Sequence, residues 1–134
     1  MKKIIYSPGE PSGIGPDLII KLSSSNLWED LKIPIVSIGD PKLFIDRAAV
    51  LKKKIQIVEL ESLNEVSKNT RGLLQIIKVT KCSNTRPGKL YKSNAQYVLN
   101  NLTYSIEQTM QNEETALVTG PLSKENIISI DKLF

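Results

Sequence analysis

Not one of the 134 residues is a histidine. That absence excludes Ser-His-Asp and Cys-His catalysis, imidazole acid–base chemistry and every His-ligated metal site within these residues. Cysteine is nearly as scarce. Cys82 stands alone, so there is no intrachain disulfide and no Cys-rich zinc site, as expected in a reducing compartment. The seven aromatic residues are scattered, whereas nucleic-acid binding wants aromatics interleaved with basic residues. Long apolar runs are missing as well. Met1-Lys2-Lys3-Ile4-Ile5-Tyr6 has the basic flank of a signal peptide, but its apolar run stops at Ser7-Pro8-Gly9, short of a secretory core or a membrane span. The expected location is cytoplasmic. Chemistry here must rest on Lys, Asp, Glu, Ser, Thr or backbone amides.

What is present is the composition of a globular domain, with 40% hydrophobic and 24% charged residues. The length suits one modest core. The net charge of +4 comes with 15 lysines among 18 cations and 17 isoleucines, which looks like coding bias rather than a binding surface. The run Lys52-Lys53-Lys54 reads as a solvated turn.

Short β runs alternate with helical patterns. Strands are expected at Lys3–Tyr6, Pro34–Ile38, Ile55–Val58, Leu73–Val79 and Thr115–Thr119. Helices are expected from Pro16 to Ser24, after the Asp40-Pro41 start, from Ser93 and from Ser123. The helix after Asp40 takes Phe44, Ile45, Ala48 and Leu51 as its apolar face. The helix from Ser93 opens with a capping box to Gln96 and buries Ala95, Val98, Leu99, Leu102, Ile106 and Met110. Residues 61–71 read as loop with a helical turn at most, and Asn84–Gly88 as a turn cluster. This alternation predicts an α/β fold with an open, mainly parallel sheet covered by helices on both faces. No linker divides the chain, so residues 1–134 form one region. The pattern stops in mid-element at Asp131-Lys132-Leu133-Phe134, which is the expectation for a truncated domain.

Two strand-to-helix turns can carry chemistry. Ser7-Pro8-Gly9-Glu10-Pro11-Ser12-Gly13-Ile14-Gly15-Pro16-Asp17 packs glycines and prolines between a strand and a helix. Glycine lets backbone amides approach a ligand, and the helix amino terminus favours an anion. Leu18 stands where the dinucleotide fingerprint needs its third glycine, and no Gly-Lys-Ser/Thr follows, so neither common nucleotide loop is present. A rigid structural turn explains the segment equally well. Thr119-Gly120-Pro121-Leu122-Ser123-Lys124 repeats the arrangement, with Lys124 as a point charge for an anion; a capped helix with a solvated lysine is the plainer explanation. Asp40 suits a ribose, but helix capping is the commoner role. No carboxylates are paired for acid–base work or a metal cage.

Residues 7–17 resemble the opening of the 4-hydroxythreonine-4-phosphate dehydrogenase family of pyridoxal phosphate biosynthesis. Three further segments agree in order: Gly39-Asp40-Pro41 leading to Asp46-Arg47-Ala48, Arg86-Pro87-Gly88-Lys89, and Ala116 to Lys124. The first loop is also similar to that of isocitrate and isopropylmalate dehydrogenases, whose fold the family shares. The resemblance implies a homodimer using NAD to oxidise a secondary alcohol of a small phosphorylated hydroxy acid, with loss of carbon dioxide from the resulting β-keto acid. It implies a divalent metal held by histidines, and its members are more than twice this length. It therefore makes this chain the amino-terminal part of a two-domain dehydrogenase, inactive by itself, with no catalytic or metal residue of its own. By analogy Gly13, Ile14 and Gly15 border the cofactor, and Thr119, Gly120 and Lys124 line the substrate side. Alternatives are a paralogue acting on threonate or erythronate 4-phosphate, a non-catalytic anion-binding α/β module, and a half-protein complemented by a separate chain. No nucleic acid or membrane is expected as a partner.

Overall fold

Runs of Ile, Val and Leu in a fully buried setting favour central parallel strands, and the chain uses them so. The computed structural model describes residues 2–133; Met1 and Phe134, at the two ends of the sequence reading, lie outside the described residues. Five strands, β1 (Lys3–Ser7), β2 (Ile35–Ile38), β3 (Gln56–Leu60), β4 (Leu73–Ile77) and β5 (Thr115–Thr119), form one sheet in the order β3-β4-β2-β1-β5. Every pairing is parallel. Tyr6 aligns with Ser37 of β2 and with Val118 of β5, placing β1 between these two strands with its carboxyl end beside that of β5.

Alternate residues divide the core. Tyr6, Ile35, Leu74 and Ile76 pack on one face with residues of α1 (Gly15–Ser23), α2 (Leu27–Asp30) and α3 (Pro41–Val50). Ile5, Val36, Ile38 and Ile77 pack on the other with Leu60, Leu63 and Val66. The helix α4 (Ala95–Gln111) touches β1 and β5, and a short α5 (Lys124–Ile128) packs against α4. The expected α/β architecture is present, including the single helical turn, Leu63–Glu65, inside the expected loop.

Three details differ from expectation. In α3, which starts at Asp40-Pro41 as expected, Ile45 is exposed and Leu43 is buried in its place, because the inward stripe runs through Leu43, Phe44, Arg47 and Ala48, with Arg47 turned in to bond the first loop. The capping box at Ser93 does not form. The chain enters α4 through a 3-10 turn at Lys92–Asn94, with no side-chain cap on the helix, and Gln96 bonds Asn100 instead. The inward face of α4 is Ala95, Tyr97, Val98, Asn101 and Ser105, while Leu99 and Leu102 are half-buried, Ile106 is exposed and Met110 is 81% exposed. Two hydrogen bonds, the first part-buried and the second buried, go with this rotation. Asn94 Oδ1 accepts from Ser83 N at 2.9 Å, and Tyr97 Oη accepts from Asp40 N at 3.0 Å. These polar anchors outweigh the leucine stripe, since a buried amide left without a partner costs about 1–3 kcal/mol.

Candidate functional site

The carboxyl ends of β1 and β5 release the two glycine–proline turns side by side, at the edge where open α/β sheets bind ligands. The turns are interlocked. Gly120 N donates to Ser7 O at 2.8 Å and Glu10 N donates to Pro121 O at 2.9 Å. A Cβ on Gly15 would lie 1.8 Å from the Pro8 carbonyl oxygen, and one on Gly120 would lie 2.2 Å from the same atom. The Pro8 carbonyl thus sits between Gly15 and Gly120, and only hydrogen fits on either side. Tyr6 Oη donates to Gly15 O at 2.8 Å from below; burial pushes its phenol pKa up, so it stays a donor.

The loop also consumes its own amides. Gly13 N donates to Glu10 O, and Ser12 N and Oγ both donate to the buried Glu10 carboxylate. A backbone cradle for an anion is therefore not free at Glu10, Ser12, Gly13 or Gly120.

Arg47, named in the sequence only as part of the Asp46-Arg47-Ala48 segment and given no role there, holds the loop. It is 3% exposed, and its guanidinium donates to Pro11 O, to Gly13 O at 3.0 Å and to Asp17 Oδ1 at 2.7 Å. One planar fork thereby fixes the outer half of the loop and the first turn of α1. The signal was legible: Arg47 falls three residues after Phe44 and four after Leu43, on a helical face that otherwise buries apolar side chains.

The other segments join the same loop. Gly88 N donates to Ser12 O at 2.7 Å, and Tyr91 O accepts from Asn126 Nδ2 at 3.1 Å, so the 84–91 segment bridges the first loop and α5. Four stretches far apart in sequence (7–17, 39–47, 86–89 and 116–124) converge on one rim.

Among the residues expected at a site, Gly15 is buried and walled in, Gly13 is half-exposed, and Ile14 is 58% exposed on the rim. Thr119 and Lys124 are exposed; Gly120 is half-buried against Pro8. Gly15 and Gly120 are brought together through Pro8. Asp40 caps α3 through Lys42 N, and its other oxygen accepts from Cys82 N at 2.8 Å, so both oxygens serve the fold. Burial, reinforced by the charges of Asp40 and Glu10, pushes the Cys82 thiol up to about 12, which leaves it an inert packing group. A 180 Å³ cleft lies alongside, lined by Asp40, Asp46, Arg47, Cys82, Asn84 and Pro87. Among the described residues no three His, Cys, Asp or Glu side chains stand together as metal ligands, so these residues do not themselves fit a divalent metal.

This architecture is shared with known proteins. The family model described as pyridoxal phosphate biosynthetic protein PdxA matches residues 30–132. The chain belongs to the PdxA family. It is 37% identical over 123 residues to the 4-hydroxythreonine-4-phosphate dehydrogenase of Shewanella frigidimarina, covering 92% of this chain and 36% of that one. The Yersinia pseudotuberculosis enzyme of the same name is 34% identical over 125 residues, 93% of this chain and 37% of its own. The chain thus spans about a third of the length of these curated PdxA relatives. The crystal structure of the Klebsiella pneumoniae 4-hydroxythreonine-4-phosphate dehydrogenase superposes with a TM-score of 0.86 at 22% identity, over 100% of this chain and 41% of that one. The Burkholderia phymatum structure of that name gives 0.84 at 18% identity, over 95% and 38%. These likenesses carry the PdxA fold.

Among the described residues no helix is long and apolar enough to cross a membrane.

Proposed function

We propose that residues 1–134 supply the amino-terminal part of a two-domain, cytoplasmic, homodimeric 4-hydroxythreonine-4-phosphate dehydrogenase of vitamin B6 biosynthesis. The reaction is NAD-dependent oxidation of a secondary alcohol followed by decarboxylation. The observation that carries this reading is the convergence of the four family-like segments on the Ser7–Gly15 loop, through Arg47, Gly88 and Gly120. Motif residues drawn from between positions 7 and 124 meet at one rim, as parts of a site do and as unrelated turns do not.

Within this reading the chain's residues have limited and definite work. NAD supplies the hydride acceptor when bound. The exposed Ile14 side chain offers an apolar face to a ring of that cofactor, with Gly13 beside it, and Gly15 holds the loop's path. Thr119 and Lys124 stand exposed on the β5 side, where a hydroxyl and a cation suit a small phosphorylated hydroxy acid. Metal chemistry and proton transfer fall to residues this chain does not contain, and activity is expected only when the remaining two thirds of the PdxA length is present, in the same chain or another.

A chimera tests this. Residues 1–134 replace the matching segment of the Shewanella frigidimarina relative in a strain lacking that enzyme. Growth without pyridoxine, and NAD reduction by the purified chimera on 4-phosphooxy-L-threonine, are expected. A folded, dimeric chimera with no turnover overturns the reading.

A further inference from the structure

Between Glu65 and Glu107 the sequence holds seven cations and no acidic side chain, although the chain has 14 acidic residues in all. Five of the seven, Lys78, Lys81, Arg86, Lys89 and Lys92, lie in the connection between β4 and α4. Lys78 approaches Asp40 at 4.0 Å and Lys89 lies over the Tyr91 ring at 5.2 Å. Among the described residues no carboxylate pairs with Lys81, Arg86, Lys89 or Lys92.

Within this segment Arg86-Pro87-Gly88-Lys89 forms a tight turn. Proline stands second, glycine third at φ +81°, and Lys89 N donates to Arg86 O at 3.1 Å, the pattern of a type II turn. Arg86 and Lys89 are also antiparallel bridge partners, a position in which two like charges repel across the turn. The turn is not free to splay them apart. Gly88 N is bonded to Ser12 O, and three residues on, Tyr91 O is bonded to Asn126 of α5. Gly88 itself has nothing within 4 Å of where a Cβ would be, so the tip is open. Two opposed cations are strapped to the rim of the site with no carboxylate in ion-pair contact among the described residues; Glu10 is buried and turned onto Ser12, Asp17 is taken by Arg47, and Asp46 in the adjacent cleft is taken by Lys42.

We infer that the Arg86–Lys89 turn is a docking clamp for a phosphate-type dianion entering the rim. A planar guanidinium and a point ammonium on one turn can share the oxygens of a phosphate, and an ion between them removes their repulsion. Lys81 and Lys92 add to the positive field that draws such a ligand in. The clamp's place in a dehydrogenase site rests on the function proposed above; its anion chemistry does not. The ligand chemistry is common to a phosphomonoester substrate and to the diphosphate of a dinucleotide.

The test is a titration of the whole 134-residue chain with inorganic phosphate, O-phosphoserine and ADP, followed by backbone amide resonances. Saturable shifts centred on Gly88, Lys89 and Ser12 are expected. Arg86→Gln with Lys89→Gln should weaken them by about tenfold or more, whereas Lys68→Gln, in the same acid-free segment but outside the turn, should not. The tighter of O-phosphoserine and ADP names the source. Shifts that never saturate, equal affinity in the double variant, or displacement of phosphate by an excess of uncharged sugar would each overturn the clamp. A silent chimera with phosphate still held at Gly88 removes only the dehydrogenase reading. An active chimera with no shift at the turn removes only the clamp.

Discussion

Replacing Arg47 with alanine is the sharpest perturbation the structure offers. The side chain is 3% exposed and serves three acceptors: the carbonyls of Pro11 and Gly13 and the carboxylate of Asp17. Pro11 is buried, so its carbonyl would lose its only such partner without gaining water, a cost of about 1–3 kcal/mol. Gly13 is half-exposed and the Asp17 side chain is 23% exposed, so water repays part of those losses, leaving about 1 kcal/mol each. The sum, about 3–5 kcal/mol, matches what is seen when one partner of a buried pair is removed. Against a total stability of about 5–15 kcal/mol for a domain, this is a large share. Trp28, the chain's single tryptophan, is fully buried in α2 away from the loop and reports global unfolding by its fluorescence. With a urea slope of about 1–3 kcal/mol/M, the midpoint should fall by about 1–5 M in Arg47→Ala. Arg47→Lys should recover less than half of that, because an ammonium cannot span three acceptors held by a fork. Asp17→Asn should cost about 1 kcal/mol. A midpoint for Arg47→Ala within about 0.3 M of the parent chain would show that the loop holds itself together and that Arg47 is a bystander.

Gly15→Ala and Gly120→Ala must push the Pro8 carbonyl aside and should each lose about 2–4 kcal/mol in the same urea assay; Gly88→Ala meets open space and should lose only the left-handed strain, about 1–2 kcal/mol. Equal losses at the three glycines would contradict the interlock. Cys82, with its thiol pushed up to about 12, should resist iodoacetamide at pH 8 until the chain is unfolded, when it should label readily. Because folding raises this thiol, its contribution is complete below the ordinary thiol range near 9 and is lost as pH climbs toward 12; Cys82→Ala should flatten that alkaline decline, and an unchanged slope would argue against it. Val118 is 47% exposed on β5, an edge strand of the sheet among the described residues, so Val118→Lys should reduce any self-association seen on size-exclusion chromatography with a stability change of about 1 kcal/mol or less.

Strand positions and the parallel sheet were legible because apolar runs of β-branched residues between glycines and prolines have few other uses. Helix rotation was not. α4 has apolar residues on more than one face, and which face turns inward is decided by Asn94 and Tyr97 bonding Ser83 and Asp40, partners 11 and 57 residues away. No periodicity within the helix carries that information. The burial of Arg47 was legible but its partners were not, since an arginine on a buried stripe announces that something polar faces it without saying what.

The glycines of the two turns show where motif reading misleads. Taken singly, each glycine–proline turn suggests amides held open for an anion. Taken together they form one object, in which Gly15 and Gly120 clear space for the Pro8 carbonyl, and the Gly120 and Glu10 amides close the seam between turns. The crossing of two backbones is by itself enough to require glycine at Gly15 and Gly120. What projects from the seam is Ile14, Thr119, Lys124 and the cationic turn at 86–89, and the function and clamp proposed above place ligand contact there. A small residue in a family motif therefore specifies the scaffold here, and the side chains beside it are the place to look for chemistry.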